Sequence, residues 1–293
     1  MRTAYDAYAP LVAPARPSSH PLRLIAGAGL TVLLFIALGF AYAALVPVLV
    51  GYEAGTAKSA VGQPAGVVLL LFQFVCLVLA LSIALRLVHR RGLAGLIGPF
   101  RRAAAQFLRC TLLLLPLYLL LFVVPVPDEY APDPNMTATA WLSWLPLALP
   151  AIMVQITAEE LAFRGYLQSQ LAARFRHPLV WIGLPAALFG VVHLDPAIAG
   201  ENAWVLAVWA TLFGAAAADL TARSGSLGPA LSLHFTNNVF AILVTAPEGS
   251  LDGLALYTIP LDLAAEGLAW YVLPVEALFT LCAWLAARLA LRV

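Results

Sequence analysis

The sequence predicts an all-α, polytopic membrane protein with about eight transmembrane helices in one bundle. Three observations lead there. The 293 residues are 62% hydrophobic and only 11% charged, where a soluble domain carries about 25% charged residues. Apolar runs near the length needed to cross a bilayer, about 20 residues, recur along nearly the whole chain. These runs are longer than the roughly ten-residue alternating segments of a membrane barrel, and helices are the other way to satisfy the backbone in lipid.

Taken in order, residues 1–20 are rich in Pro, Ala and Ser and read as a disordered cytoplasmic tail. Residues 21–293 form the transmembrane domain. The first apolar run, about Leu24–Val50, contains Ala41-Tyr42-Ala43, which looks like a signal-peptide cleavage site. The run continues past it, so a retained helix is expected. Seven further spans follow at about Ala65–Leu87, Ala103–Val124, Trp141–Gln168, Leu179–Leu194, Ala203–Leu220, Leu227–Thr245 and Leu268–Leu291. The loop Pro125–Met136, rich in Pro and acid, is read as a plain connection.

Charge placement sets the orientation. Arg2, Arg16, Arg23, Arg86, Arg90, Arg91, Arg101, Arg102, Arg174, Arg176, Arg223 and Arg292 fall on one side of an eight-helix arrangement. Glu53, Asp128, Glu129, Asp133, Asp195, Glu201, Glu248, Asp252 and Asp262 fall on the other, with Lys58 as its cation. Both termini are therefore expected in the cytoplasm. Cys76, Cys110 and Cys282 lie in apolar spans without C-x-x-C spacing and read as small hydrophobes. No Gly-rich phosphate loop and no basic-aromatic patch is present, so no nucleic-acid partner is expected.

Five polar residues interrupt the apolar spans: Glu159, Glu160, His193, His234 and Asn238. Ionisable groups in a bilayer face the bundle interior and mark functional sites. Glu160 and Arg164 are four apart and share a helix face, while Glu159 points about 100° away. The arginine can neutralise Glu160 and leave Glu159 available. His234 and Asn238 are also four apart and project together, with Asn237 turned to packing or hydrogen bonding. Asp219, four residues before Arg223, reads as a local ion pair. Counting from a turn near His177, Glu159 and His193 fall at similar depth, about 25 Å from it. His234 starts closer to its own loop and is expected to sit shallower.

These are the parts for amide hydrolysis by an activated water. A carboxylate in an apolar pocket suits a general base, a histidine can orient water, and a His–Asn pair can donate to an oxyanion. Two histidines and a carboxylate could instead ligate zinc with one open position. H-E-x-x-H, G-x-S-x-G and G-x-G-D elements are absent.

Glu159-Glu160-x-x-x-Arg164, Phe189-x-x-x-His193 and His234-x-x-x-Asn238, preceded by Ser226-Leu227-Gly228-Pro229-Ala230, resemble the three motifs of the CPBP family. That family contains the CAAX prenyl endopeptidases and bacteriocin-processing or self-immunity relatives. The resemblance covers about residues 141–245. It implies an eight-helix intramembrane endopeptidase in which Glu159 activates water with His193. His234 and Asn238 would form the oxyanion site, and Glu160 and Arg164 would support the pocket. It is compatible with a metal-free enzyme, the version favoured here, or with a zinc-dependent one. The expected partner is a peptide or protein at the membrane, of a membrane-anchored or leader type. The preference for Ala, Leu and Arg over Lys points to a bacterial inner membrane. Two alternatives stand beside the hydrolase. One is a peptide-binding or self-immunity protein that does not cut. The other is a proton-coupled transporter, which would show an internal repeat that the sequence lacks.

Overall fold

A computed structural model describes residues 4–52, 60–121 and 128–293. Within them the expected segments fold as eight helical rods. They are α1 (Pro21–Leu49), α2 (Pro64–His89), α3 (Phe100–Leu120), α4 (Ala138–Arg174) and α5 (Leu179–Val191). They continue with α6 (Ala203–Ser224), α7 (Gly228–Val239, prolonged by Phe240–Val244) and α8 (Leu268–Leu291). Their starts follow local chemistry. Pro21 opens α1, and the His20 imidazole accepts from the Leu22 amide. Thr137 caps α4 by accepting from the Ala140 amide. Gly225, at φ 71°, stops α6 in the left-handed region that glycine tolerates.

Among the described residues, six helices are long and apolar enough to cross a membrane: α1 to α4, α6 with the turns before it, and α8. The count of eight full spans is not reached. α5 is short. α7 carries His234, Asn237 and Asn238, and its neighbours shield it from lipid, so it does not need an apolar circumference. α1 and α8 are the opposite case. They turn Leu33, Phe40, Leu278 and Leu285 outward, as bilayer-facing helices must.

The core lies between α3, α6, α7 and α8, around Leu114, Tyr118, Phe213, Leu220 and Leu233. Close approach depends on small residues. A Cβ on Gly190 would collide with Thr211 and the Ala207 carbonyl, so α5 and α6 touch nearly backbone to backbone. At the end opposite the arginine-rich linkers, three short strands cap the bundle: β1 (Asp133–Pro134), β2 (Thr245–Pro247) and β3 (Tyr257–Ile259). β3 is central, antiparallel to β1 and parallel to β2. Asn135 donates to the Asp252 and Ala255 carbonyls and ties the loop before α4 to this cap. Arg2, Glu53, Lys58 and the 125–127 part of that loop lie outside the described residues.

Two expectations are corrected. Residues 5–18 are not a disordered tail. Asp6–Tyr8, Ala9–Val12 and Ala13–Ser18 are consecutive helical turns. Tyr8, Leu11 and Val12 pack on Leu171, Trp181 and Ala222. The spacing 8, 11, 12, 15 is one helical face, hidden by a Pro- and Ala-rich composition. His89 links Ser18 at 3.0 Å, Gln170 at 2.7 Å and Tyr166 at 2.8 Å and fixes the segment to α2 and α4.

Nor is His234 shallow. The turn before α7 is sunk in the protein, with Ser224, Ser226, Leu227 and Gly228 all buried. The N-terminal turns cover it, and the Leu227 amide donates to the Ile97 carbonyl of the α2–α3 linker at 3.0 Å. α7 therefore starts inside the bundle. A Cβ on Gly228 would strike the Ala103 backbone of α3. Gly228→Ala is expected to destabilise the protein by about 1–3 kcal/mol by overpacking, read as a lower thermal midpoint in detergent. An unchanged midpoint would show that α7 has room to move.

Candidate active site

Four helices bring the polar residues together. α4 supplies Gln155, Glu159, Glu160 and Arg164, the first three at 7%, 7% and 0% exposure. Immediately after Glu160 the helix widens into a π turn over Leu161–Leu167. Arg164 Nη1 still donates to Glu160 Oε1 at 3.0 Å, as the i, i+4 spacing requires. The same oxygen accepts from His234 Nδ1 of α7 at 2.9 Å. His234 Nε2 then faces Glu159 Oε2 at 3.6 Å, too long for a direct hydrogen bond. One imidazole thus stands between two buried carboxylates.

Asn238, one turn beyond His234, donates from Nδ2 to Gln155 Oε1 at 2.8 Å. Its Oδ1 accepts from Asn237 Nδ2 at 3.2 Å, and Asn237 Oδ1 accepts from the Tyr118 hydroxyl at 3.2 Å. These bonds set which way the Asn238 amide faces and leave one Nδ2 hydrogen free of them. Asn237 serves hydrogen bonding, as its position on the helix predicts.

His193 stands at the end of α5. Its Nδ1 lies 2.7 Å from the Phe189 carbonyl. A carbonyl can only accept, so Nδ1 carries the proton and Nε2 of the neutral ring is an acceptor. Among the described residues, His193 reaches the cluster through the Phe189 ring, 4.4 Å away between centroids, rather than through a carboxylate.

Phe189 is the hub that the sequence left without a role. Its ring lies 6.0 Å from that of His234, at 86°. The Arg164 guanidinium sits over it at 4.3 Å, a cation–π contact in a dry setting. Phe213 of α6 also packs against His234, with centroids 5.3 Å apart. Gln155 was also missed. Its signal was a polar residue four before Glu159 in an apolar run, on the same helix face.

The polar balance is incomplete. Glu159 Oε2, Glu160 Oε2 and Arg164 Nη2 are buried without a hydrogen-bond partner. Buried orphans of this kind are rare in finished cores. Among the described residues, no group of three His, Cys, Asp or Glu side chains is placed to hold a metal ion.

The sequence comparisons fall on the same segment. Residues 141–240 match the family model described as Type II CAAX prenyl endopeptidase Rce1-like. The chain is 30% identical over 178 residues to YyaK, an uncharacterized protein of Bacillus subtilis strain 168. That match covers 58% of this chain and 58% of the relative's length. No solved structure gives a significant match. The segment that supplies the glutamates, both histidines and Asn238 is therefore the one that resembles the Rce1-like family, and it lies within an all-α polytopic membrane protein.

Proposed function

We propose that the chain is an intramembrane endopeptidase that hydrolyses a peptide bond of a membrane-associated or leader-type peptide, with Glu159 as general base. The observation that carries this reading is His234 held between Glu159 and Glu160 inside the helical core. A structural ion pair needs one carboxylate per arginine, and Glu160 already serves Arg164. Glu159 is left with a buried oxygen that has no partner.

A water beside Glu159 Oε2 can also reach His234 Nε2. The 3.6 Å separation leaves an off-line position about 2.8 Å from each atom. His193 Nε2, the free acceptor of its ring, holds water or the substrate amide from the α5 side. In the reaction, water attacks the carbonyl carbon and Glu159 takes its proton. The negative charge on the carbonyl oxygen is met by the free Nδ2 hydrogen of Asn238, with the His234 ring beside it as the second member of the oxyanion site. Collapse breaks the carbon–nitrogen bond as Glu159 passes the proton to the leaving nitrogen. Glu160 and Arg164 hold His234 at the correct angle, and Gln155 does the same for Asn238. The chemistry is proposed to be metal-free, and the substrate is found by comparing membrane peptides from cells with and without the gene by mass spectrometry.

On that peptide, purified Glu159→Gln is expected to lose about 10²–10⁴-fold in kcat/KM while remaining folded. Asn238→Ala should lose about 10²–10³-fold, mostly in kcat. Full cleavage by Glu159→Gln overturns the assignment. If Glu159→Gln has lost cleavage and still complements a deletion strain, the protein acts by binding its peptide and not by cutting it. Dialysis against a chelator should leave the rate within about twofold; loss of activity restored by zinc would move water activation from Glu159 to a metal.

A further inference from the structure

Away from this site, a groove of about 340 Å³ opens where α5, α6, α8 and the N-terminal turns meet. Its volume falls within the range of about 300–1,000 Å³ typical of small-molecule sites. The walls are Ile182, Leu212 and Leu281, with alanines of α6 and α8 between them. Leu212 and Leu281 are 44% and 46% exposed, so the groove opens to the bilayer side. One end is closed by polar groups. Asp219 accepts from the Tyr5 hydroxyl at 2.8 Å and from Trp284 Nε1 at 2.9 Å. Arg223 Nε donates to both Asp219 oxygens at 2.8 Å. The pair predicted between Asp219 and Arg223 is present, but it is half of a larger arrangement.

The Arg223 guanidinium lies 5.2 Å from the Tyr5 ring centroid, and that of Arg288 lies 4.9 Å from the Trp284 ring. Two guanidinium groups flank the mouth. Arg223 meets Asp219 through Nε. Arg288 spends its Nε on the Val293 carbonyl. A Trp and a Tyr at the boundary between apolar wall and polar rim are what a membrane interface selects. An apolar trough with a cationic, aromatic mouth matches a molecule with a hydrocarbon tail and a negative head.

We propose that this groove binds an anionic phospholipid, with one acyl chain along Ile182, Leu212 and Leu281 and its phosphate on Arg223 and Arg288. The lipid would complete the packing between α6 and α8 and hold the N-terminal turns against the bundle through Tyr5.

The test uses the full chain, delipidated in detergent and then offered phosphatidylglycerol or phosphatidylcholine of equal chain length, with retention read by native mass spectrometry. Phosphatidylglycerol is expected to be retained about tenfold better. Arg288→Gln, which leaves the Asp219 pair intact, should cut that preference several-fold, and Arg223→Gln with Arg288→Gln should remove it. Leu212→Trp, which fills the trough, should weaken retention of both lipids. Equal retention of the two lipids by the parent, or a preference that survives the double substitution, overturns the proposal. Displacement of the lipid by inorganic phosphate would also overturn it, since the acyl chain would then contribute nothing. Cleavage is not the readout, so a failure here leaves the endopeptidase reading standing, and the reverse.

Discussion

The site is organised around one carboxylate. Glu160 is fully buried, and its Oε1 accepts from both Arg164 and His234. A charge taken out of water this completely is strongly unfavourable alone, and two donors on one oxygen offset that only if both are held in place. Arg164 is held because Phe189 lies under its guanidinium. His234 is held because Phe189 and Phe213 close on its ring and because α7 begins at a turn buried under the N-terminal segment. Removing one member of such a pair leaves an uncompensated charge, at about 3–5 kcal/mol. The position of α7, the depth of the 224–228 turn and the small residues between α5 and α6 can all be seen as conditions for keeping Glu160 satisfied.

That arrangement explains why the most polar helix is the least able to span a membrane alone. α7 is surrounded by α3, α4, α6 and α8, so its surroundings are protein, not lipid. The outer helices carry the opposite pattern, with leucine and phenylalanine turned outward on α1 and α8. Division of labour of this type lets a bilayer protein hold charged side chains in its interior without exposing them to hydrocarbon.

Much of this was legible in the sequence. The eight helical segments stand within a few residues of their expected places, because long apolar runs leave few alternatives in lipid. Glu160–Arg164 and Asp219–Arg223 follow from four-residue spacing, a local rule. What the sequence did not give depends on tertiary placement. Tyr8, Leu11 and Val12 sit among prolines, and composition concealed their common face. The level of His234 depended on whether a loop protrudes or is sunk, and no periodicity reports that. Phe189 and Gln155 look like ordinary members of apolar runs until Arg164 and Asn238 are found against them. His193 was placed at the depth of Glu159, and it meets the cluster across an aromatic ring.

The π turn at Leu161–Leu167 bears on how kinship with this chain should be judged. Such a turn is an α-helix that has absorbed one surplus residue. Deleting one of Leu161, Ala162 or Phe163 would restore ordinary winding and still leave Glu159, Glu160 and the arginine in the chain. The stretch beyond would swing by about 100° relative to the glutamates, and the spacing of Glu160 and the arginine would shorten from four residues to three. A chain with the same residues and a different gap at this point is therefore expected to hold its arginine at a different angle to the acid.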